Sequence, residues 1–178
     1  QLAVFGPGLA APVAALAQTH LGELKVSEWR DETQSHLQFG LAKGGLDDAS
    51  LAAGLPRLVY GSITGFGQTG PYADRAGYDF IVQGMAGFMS VTGEADGEPG
   101  GGPQKAGIAI TDLMTGMYAA VAIQAALAHR DRTGEGQHVD CCLMDSAVAM
   151  MAVMDMNYLV TGRAPGRIGN AHPNIVPY

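Results

Sequence analysis

The sequence has 178 residues, 47% of them hydrophobic and 15% charged, with a formal net charge of −7; this suits one soluble globular domain with a sizeable core, since single domains commonly run about 100–200 residues. No uninterrupted apolar stretch approaches the roughly 20 residues of a membrane-spanning helix, and the acidic balance argues against broad binding of nucleic acid or anionic lipid, which rests on basic patches. A phosphate-bearing small ligand remains compatible, because a helix N-terminus and a few arginines can hold it locally.

The chain starts Gln1-Leu2-Ala3-Val4-Phe5, with neither an initiating Met nor the basic flank of a secretory signal, and reads as a chain entered midway. Residues 9–20 are rich in Ala and Leu with Pro12 near their start, as in a helix opened by a proline in its first turn. Residues 24–27 follow as a candidate strand, and residues 28–50 are polar and irregular, with no assignable element. Leu58-Val59-Tyr60-Gly61-Ser62-Ile63, between Pro56 and a glycine-rich loop, predicts a core strand. Residues 78–90 carry helical spacing, and residues 93–105 form an acidic, Gly/Pro-rich loop expected to be mobile. Gly107-Ile108-Ala109-Ile110 is a strand-like lead into Thr111-Asp112. From 113 to 129, Leu113, Met117, Val121 and Leu127 with alanines between them describe a helix buried over much of its circumference. A turn at 132–137, a strand at 138–143 and a Met-rich helix at 145–160 ending at Gly162 complete the pattern. Alternating strands and helices imply an α/β layered, Rossmann-like domain with a largely parallel sheet.

Cys141 and Cys142 are the two cysteines. Being adjacent, they cannot complete a disulfide framework or a four-ligand zinc site with anything else in the chain. They fit a reducing, cytoplasmic setting and, flanked by Val139 and Leu143, read as inert thiols of a buried strand. His20, His36, His129, His138 and His172 show no metal spacing and read as surface or capping residues; no metal is expected. Ser62 lacks the context of a nucleophile elbow. Asp145 opens the Met-rich helix and reads as its cap.

Two stretches could carry chemistry. Gly65-Phe66-Gly67-Gln68-Thr69-Gly70 has the G-x-G-x-x-G spacing of dinucleotide loops and follows a strand. Pro71 to Gly77, however, looks like turn rather than helix, and Glu94, the acid at about the right distance, falls in a loop instead of closing a second strand; glycine dihedrals in a tight turn explain the spacing without a ligand. Asp112 stands at the start of a long apolar helix. Read from spacing alone it is an N-cap or a first-turn acid, kept ionised by the helix dipole, and an ionised carboxylate is what covalent acyl transfer requires.

Several ordered motifs change that balance: Pro56-Arg57-Leu58-Val59-Tyr60, Ser62 through Tyr72, Gly77-Tyr78-Asp79, Thr111-Asp112, Arg132-Thr133-Gly134-Glu135-Gly136-Gln137 and Gly169-Asn170-Ala171-His172-Pro173. Together they resemble the family III CoA-transferases, strongly over residues 56–178 and loosely over 1–28. The resemblance implies that Asp112 is a covalent nucleophile, attacking an acyl-CoA thioester to give a mixed anhydride and then an aspartyl-CoA thioester that a carboxylic acid opens. It implies that Gly67, Gln68 and Tyr78 contact the substrate and that Arg75 reaches the CoA. Backbone N–H groups of the glycine loop and the helix start are expected oxyanion donors. CoA thioester is then a substrate, no tightly bound cofactor is expected, and the partners are an acyl-CoA, a small carboxylic acid and a second copy of the chain in an interlocked homodimer. Racemases of 2-methylacyl-CoA share the fold and the aspartate but are expected to carry histidine where this chain has Tyr78, and a phenol is a poor base at neutral pH. The short passage from Glu28 to Pro56 and the stop at Tyr178 imply one partial large domain over 1–178, without the small domain and several strands, including residues that hold the adenosine end of CoA.

Overall fold

The computed structural model describes residues 2–5 and 48–177. The expected helix at 9–20, the strand at 24–27, most of the loosely matched first unit, His20 and His36 lie outside the described residues. The described chain runs β1 (Leu2–Phe5), α1 (Asp48–Gly54), β2 (Val59–Thr64), α2 (Asp79–Met85), α3 (Phe88–Val91), α4 (Ile110–Thr133), β3 (Gln137–Cys142), α5 (Leu143–Met151) and α6 (Val153–Thr161). β2 lies between β1 and β3, and both pairings are parallel. Leu2 aligns with Val59 and Phe5 with Ser62 on one side; Val59 aligns with Gln137 and Thr64 with Cys142 on the other. This is the α/β, Rossmann-like layering that the alternation of elements implied. β1 and α1 are additions, since the sequence offers no element signal at 2–5 or at 48–54.

One face of the sheet is set by alternation along β2. Val59 packs with Ile123 and Ala126 of α4, joined by Leu127 and Val139. Ile63 packs with Val82, Leu143 and Ala147, joined by Phe66, Ala86 and Met144. α4 buries Thr111, Thr115, Ala119, Ile123 and Ala126, positions three or four apart that form one stripe, and the small side chains let its axis lie close over the strands. The acid in its first turn is Asp112 and the bases in its last are Arg130 and Arg132, the polarity that the helix dipole favours. Gly134, at φ 84°, ends it, returning its N–H to the Arg130 carbonyl. α4 is long and apolar enough by length and composition to cross a membrane, yet here its buried stripe is the lid of the sheet.

Five expectations are corrected. Residues 107–110 are not strand-like: Ile110 already opens α4, and its N–H turns back to the Ile108 carbonyl at 2.8 Å, because two apolar residues after a glycine are too few to make a strand. The helix at 78–90 is two helices, separated at Gly87, which has φ 85°. The Met-rich helix is likewise α5 and α6, bent by 69° about Ala152. Its cap is not Asp145 but Cys142, whose Sγ accepts the Asp145 N–H at 3.3 Å. The 93–105 loop, expected to be mobile, is tied down: Gln104 N–H reaches the Thr92 carbonyl at 3.1 Å, Gly169 N–H the Gly93 carbonyl at 3.0 Å, and Arg167 pairs with Asp96.

Candidate active site

The N-terminus of α4 needs a cap that its own sequence does not supply. The N-cap position is Ala109, which has no side-chain acceptor, so the first-turn donors must find partners elsewhere. They find Asp79, the first residue of α2. Its Oδ1 accepts the Thr111 N–H at 2.8 Å and the Thr111 hydroxyl at 2.7 Å. Its Oδ2 accepts from Gln83 Nε2 at 2.7 Å, one turn along α2. The fully buried Gln83 in turn accepts the Ala106 N–H through Oε1 at 2.8 Å. Thr111 and Thr115 are also fully buried, and the Thr115 hydroxyl donates to the Thr111 carbonyl at 2.6 Å.

Asp112 is therefore a first-turn residue and not the cap. It is half-buried, and its carboxyl is held above the usual value, first by burial and then by the neighbouring charge of Asp79. The shift runs opposite to the one the helix dipole alone would give: loss of water and a like charge outweigh the helix end.

The glycine loop reaches this place through a backbone contact. A Cβ built on Gly65 would collide with the Gly77 backbone, and one on Gly77 with Gly65; only two glycines allow the strands of chain to touch. Gly77 is followed by Tyr78, extended (φ −116°, ψ 150°) and 56% exposed, and then by Asp79. The Gly65–Gly77 contact and the Asp79–Thr111 bonds thus gather segments 65–68, 77–79 and 111–112 from across the sequence.

The loop amides are less available than expected. Gly67 N–H donates to Thr64 Oγ1 and Gln68 N–H to Asp140 Oδ2, each at 2.8 Å. With Thr111 N–H taken by Asp79, three of the backbone donors proposed for an oxyanion already have acceptors. Arg75 is exposed, its guanidinium 4.3 Å from the Tyr72 ring centre, and Tyr72 meets Phe66 edge-on; these contacts keep it on the loop and do not join it to Asp112. Past Gly70 the chain makes turns, Ala73 N–H to Gly70 carbonyl and Arg75 N–H to Tyr72 carbonyl. No helix N-terminus follows the third glycine to receive a pyrophosphate, which disposes of the dinucleotide reading.

Other nucleophiles are poorly set. Burial, with smaller effects of Asp140 and Asp145, pushes the Cys141 thiol up, and burial chiefly pushes Cys142 to about 11, so both stay protonated at neutral pH. Ser62 Oγ lies 2.7 Å from His138 Nε2, on neighbouring strands. Among the described residues no three His, Cys, Asp or Glu side chains are grouped to hold a metal. Asp79, Gln83 and Asp140 were not foreseen. Asp79 and Gln83 stand at the i, i+4 spacing of a helical pair, a signal present in the sequence; Asp140 carried none.

Residues 35–178 match the family model described as CoA-transferase family III. Over 139 residues the chain is 63% identical to the succinate–glutarate CoA-transferase of Agrobacterium fabrum, covering 78% of this chain and 34% of that protein. Over 145 residues it is 45% identical to the succinyl-CoA:glutarate CoA-transferase of Mus musculus, covering 82% and 32%. Among solved structures, a CAIB/BAIF family protein from Brucella suis superposes with a TM-score of 0.72 at 49% identity, over 86% of this chain and 44% of that one. The chain spans about a third of the length of these curated relatives. With the family model matched over residues 35–178, the chain belongs to CoA-transferase family III.

Proposed function

We propose that the protein moves CoA between an acyl-CoA thioester and a carboxylic acid, with Asp112 as the covalent nucleophile. The observation that carries this reading is the place of Asp112: a carboxylate in the first turn of a core helix, half-buried, near Asp79 of the segment that Gly65 touches at Gly77, and inside the family match. An Asp112 oxygen adds to the thioester carbonyl; the C–S bond breaks, leaving a mixed anhydride and a CoA thiolate. The thiolate attacks the Asp112 carbonyl of the anhydride and expels the donor acid, giving aspartyl-CoA. The acceptor carboxylate attacks that thioester, and the released thiolate then takes the acceptor acyl group from the second anhydride, restoring Asp112. The thioester energy is conserved, and water must be kept from both anhydrides.

Tyr78, whose ring is largely exposed at the mouth of α2, is assigned to the substrate carboxylates as a hydrogen-bond donor, with Gly67 and Gln68 lining the approach and Arg75 reserved for the CoA. The names of the two curated relatives support dicarboxylates, with succinyl-CoA and glutarate as the first pair to try. CoA enters as substrate and no tightly bound cofactor is invoked. A homodimer acting in the cytoplasm, without nucleic acid or membrane, is the setting we assign: apolar side chains such as Met117 and Val121 stand exposed on α4, and Cys141 and Cys142 are free thiols. The test is to incubate the protein with succinyl-CoA and glutarate, trap with hydroxylamine or borohydride and map the peptide. Label on the α4 peptide that disappears in Asp112→Asn is expected. Exchange of deuterium into C2 of a 2-methylacyl-CoA with no acceptor acid would instead assign a racemase.

A further inference from the structure

The geometry points to Asp79 as a positioning residue for Asp112, acting with Gln83 to fix the first turn of α4 from a neighbouring helix. The inference deepens the reading of Asp112 as the nucleophile and rests on it for its effect on catalysis.

The helix that carries Asp112 starts at a residue with no cap of its own. An unsatisfied first turn frays, and a frayed turn would let the Asp112 backbone wander by more than a reacting carboxylate can tolerate. Asp79 removes that freedom with two bonds to one residue, the N–H and hydroxyl of Thr111, immediately before Asp112. Thr111 is itself fully buried and cannot turn to solvent for a partner. The Asp79 carboxylate is fixed in turn by Gln83, and Gln83 by the Ala106 N–H. The polar chain Ala106–Gln83–Asp79–Thr111 thus clamps the segment leading into α4, the middle of α2 and the start of α4 to one another. Gln83 Oε1 and both Asp79 carboxylate oxygens have donors, and Gln83 is wholly inside, so the chain is held in one arrangement.

Asp79 also acts through its charge. The elements packed on α4 carry Tyr60 on β2, His138, Asp140, Cys141 and Cys142 on β3, Asp145 on α5 and Asp79 on α2; of these, Asp79 is the charge that bears on the Asp112 carboxyl. A carboxylate whose proton affinity is raised by a like charge is a better oxygen nucleophile than one stabilised by a cation. One side chain therefore sets both where Asp112 stands and how readily its oxygen attacks.

The experiment compares Asp79→Asn and Asp79→Ala with the unmodified enzyme by three measurements: amide hydrogen exchange at Thr111, a carbon-13 NMR titration of the Asp112 carboxyl, and CoA transfer from succinyl-CoA to glutarate. Asp79→Ala should speed exchange at Thr111 at least tenfold and lower kcat by about 10–100-fold, the loss expected when a reacting group is displaced by about 1 Å, with KM little changed. Asp79→Asn keeps an acceptor oxygen for Thr111, so it should restore much of the protection while the Asp112 titration moves to lower pH. A role in stability alone would not move that titration in a folded Asn variant. Unchanged Thr111 exchange in Asp79→Ala, or an unmoved Asp112 titration in Asp79→Asn, would overturn the inference. If the unmodified protein transfers no CoA, the reading of its function fails instead, and exchange and titration still decide the role of Asp79.

Discussion

The raised proton affinity of Asp112 has a consequence for stability whose sign is fixed. In the folded protein the carboxyl holds its proton above its ordinary value of 3.8; folding therefore favours the protonated form. The stability this contributes is fully present below the unfolded value and is lost as pH rises through the folded one, so at neutral pH the ionised group weighs against the fold. Asp112→Asn removes the titration. Its unfolding midpoint in urea should match the parent's near pH 4, exceed it increasingly as pH rises, and level off once Asp112 is ionised; a midpoint falling below the parent's at pH 7 would contradict the burial and the Asp79 contact together. Asp112→Ala should likewise avoid the loss of about 0.5–2 kcal/mol that truncating a true N-cap brings, because Asp79 performs the capping. The position of Asp112 was legible in the sequence through the ordered motifs around it. Its chemical surroundings were not, because the spacing of Ile110-Thr111-Asp112 says that a helix begins there and is silent on the carboxylate 33 residues earlier that completes its first turn.

At the level of elements, the reading of 58–63, 113–129 and 138–143 succeeded because each is a run of one period with a clear stop: Pro56 before β2, Gly134 after α4, the cap of α5 after β3. The failures are breaks inside apolar runs, where composition is continuous and only tertiary packing decides. Ala152 is the sharpest case, with φ 45° and ψ −109° between two helices of similar residues. An L-residue held there costs on the order of 1–3 kcal/mol, and glycine tolerates it at the expense of some unfolded-state entropy. Ala152→Gly should therefore stabilise the protein by about 1 kcal/mol, read as a higher midpoint in urea, without altering transfer. Gly65→Ala should do the reverse. Its methyl would enter the Gly77 backbone, and since backbone cannot rotate away as a side chain can, a loss of about 1–3 kcal/mol is expected, together with slower transfer as residues 77–79 are pushed from segment 65–68.

For the molecule as a whole, the apolar residues that the helical period of α4 placed in a core divide into two sets. Ala119, Ile123 and Ala126 are buried, whereas Leu113, Met117 and Val121 are 46%, 62% and 66% exposed. The sequence could not separate them, since both sets recur every three or four residues, and a helix buried all round reads the same as one with an uncovered second face. The exposed set lies at i, i+4 and i+8 and so forms a single stripe, beginning one residue after Asp112, with Tyr118 beside it at 42% exposure. Contiguous apolar surface of this kind favours association, because its burial removes hydration of the order of 25 cal/mol per Å². The homodimer we assign would cover it. Sedimentation at micromolar concentration should then show a self-associating species, and Val121→Asp, which puts a charge at the most exposed point of the stripe, should shift it at least tenfold in dissociation constant toward monomer. The substitution faces away from β2, so the thermal midpoint at low concentration should stay within a few degrees. Equal sedimentation of the parent and Val121→Asp would show that the second face of α4 is not where the copies meet.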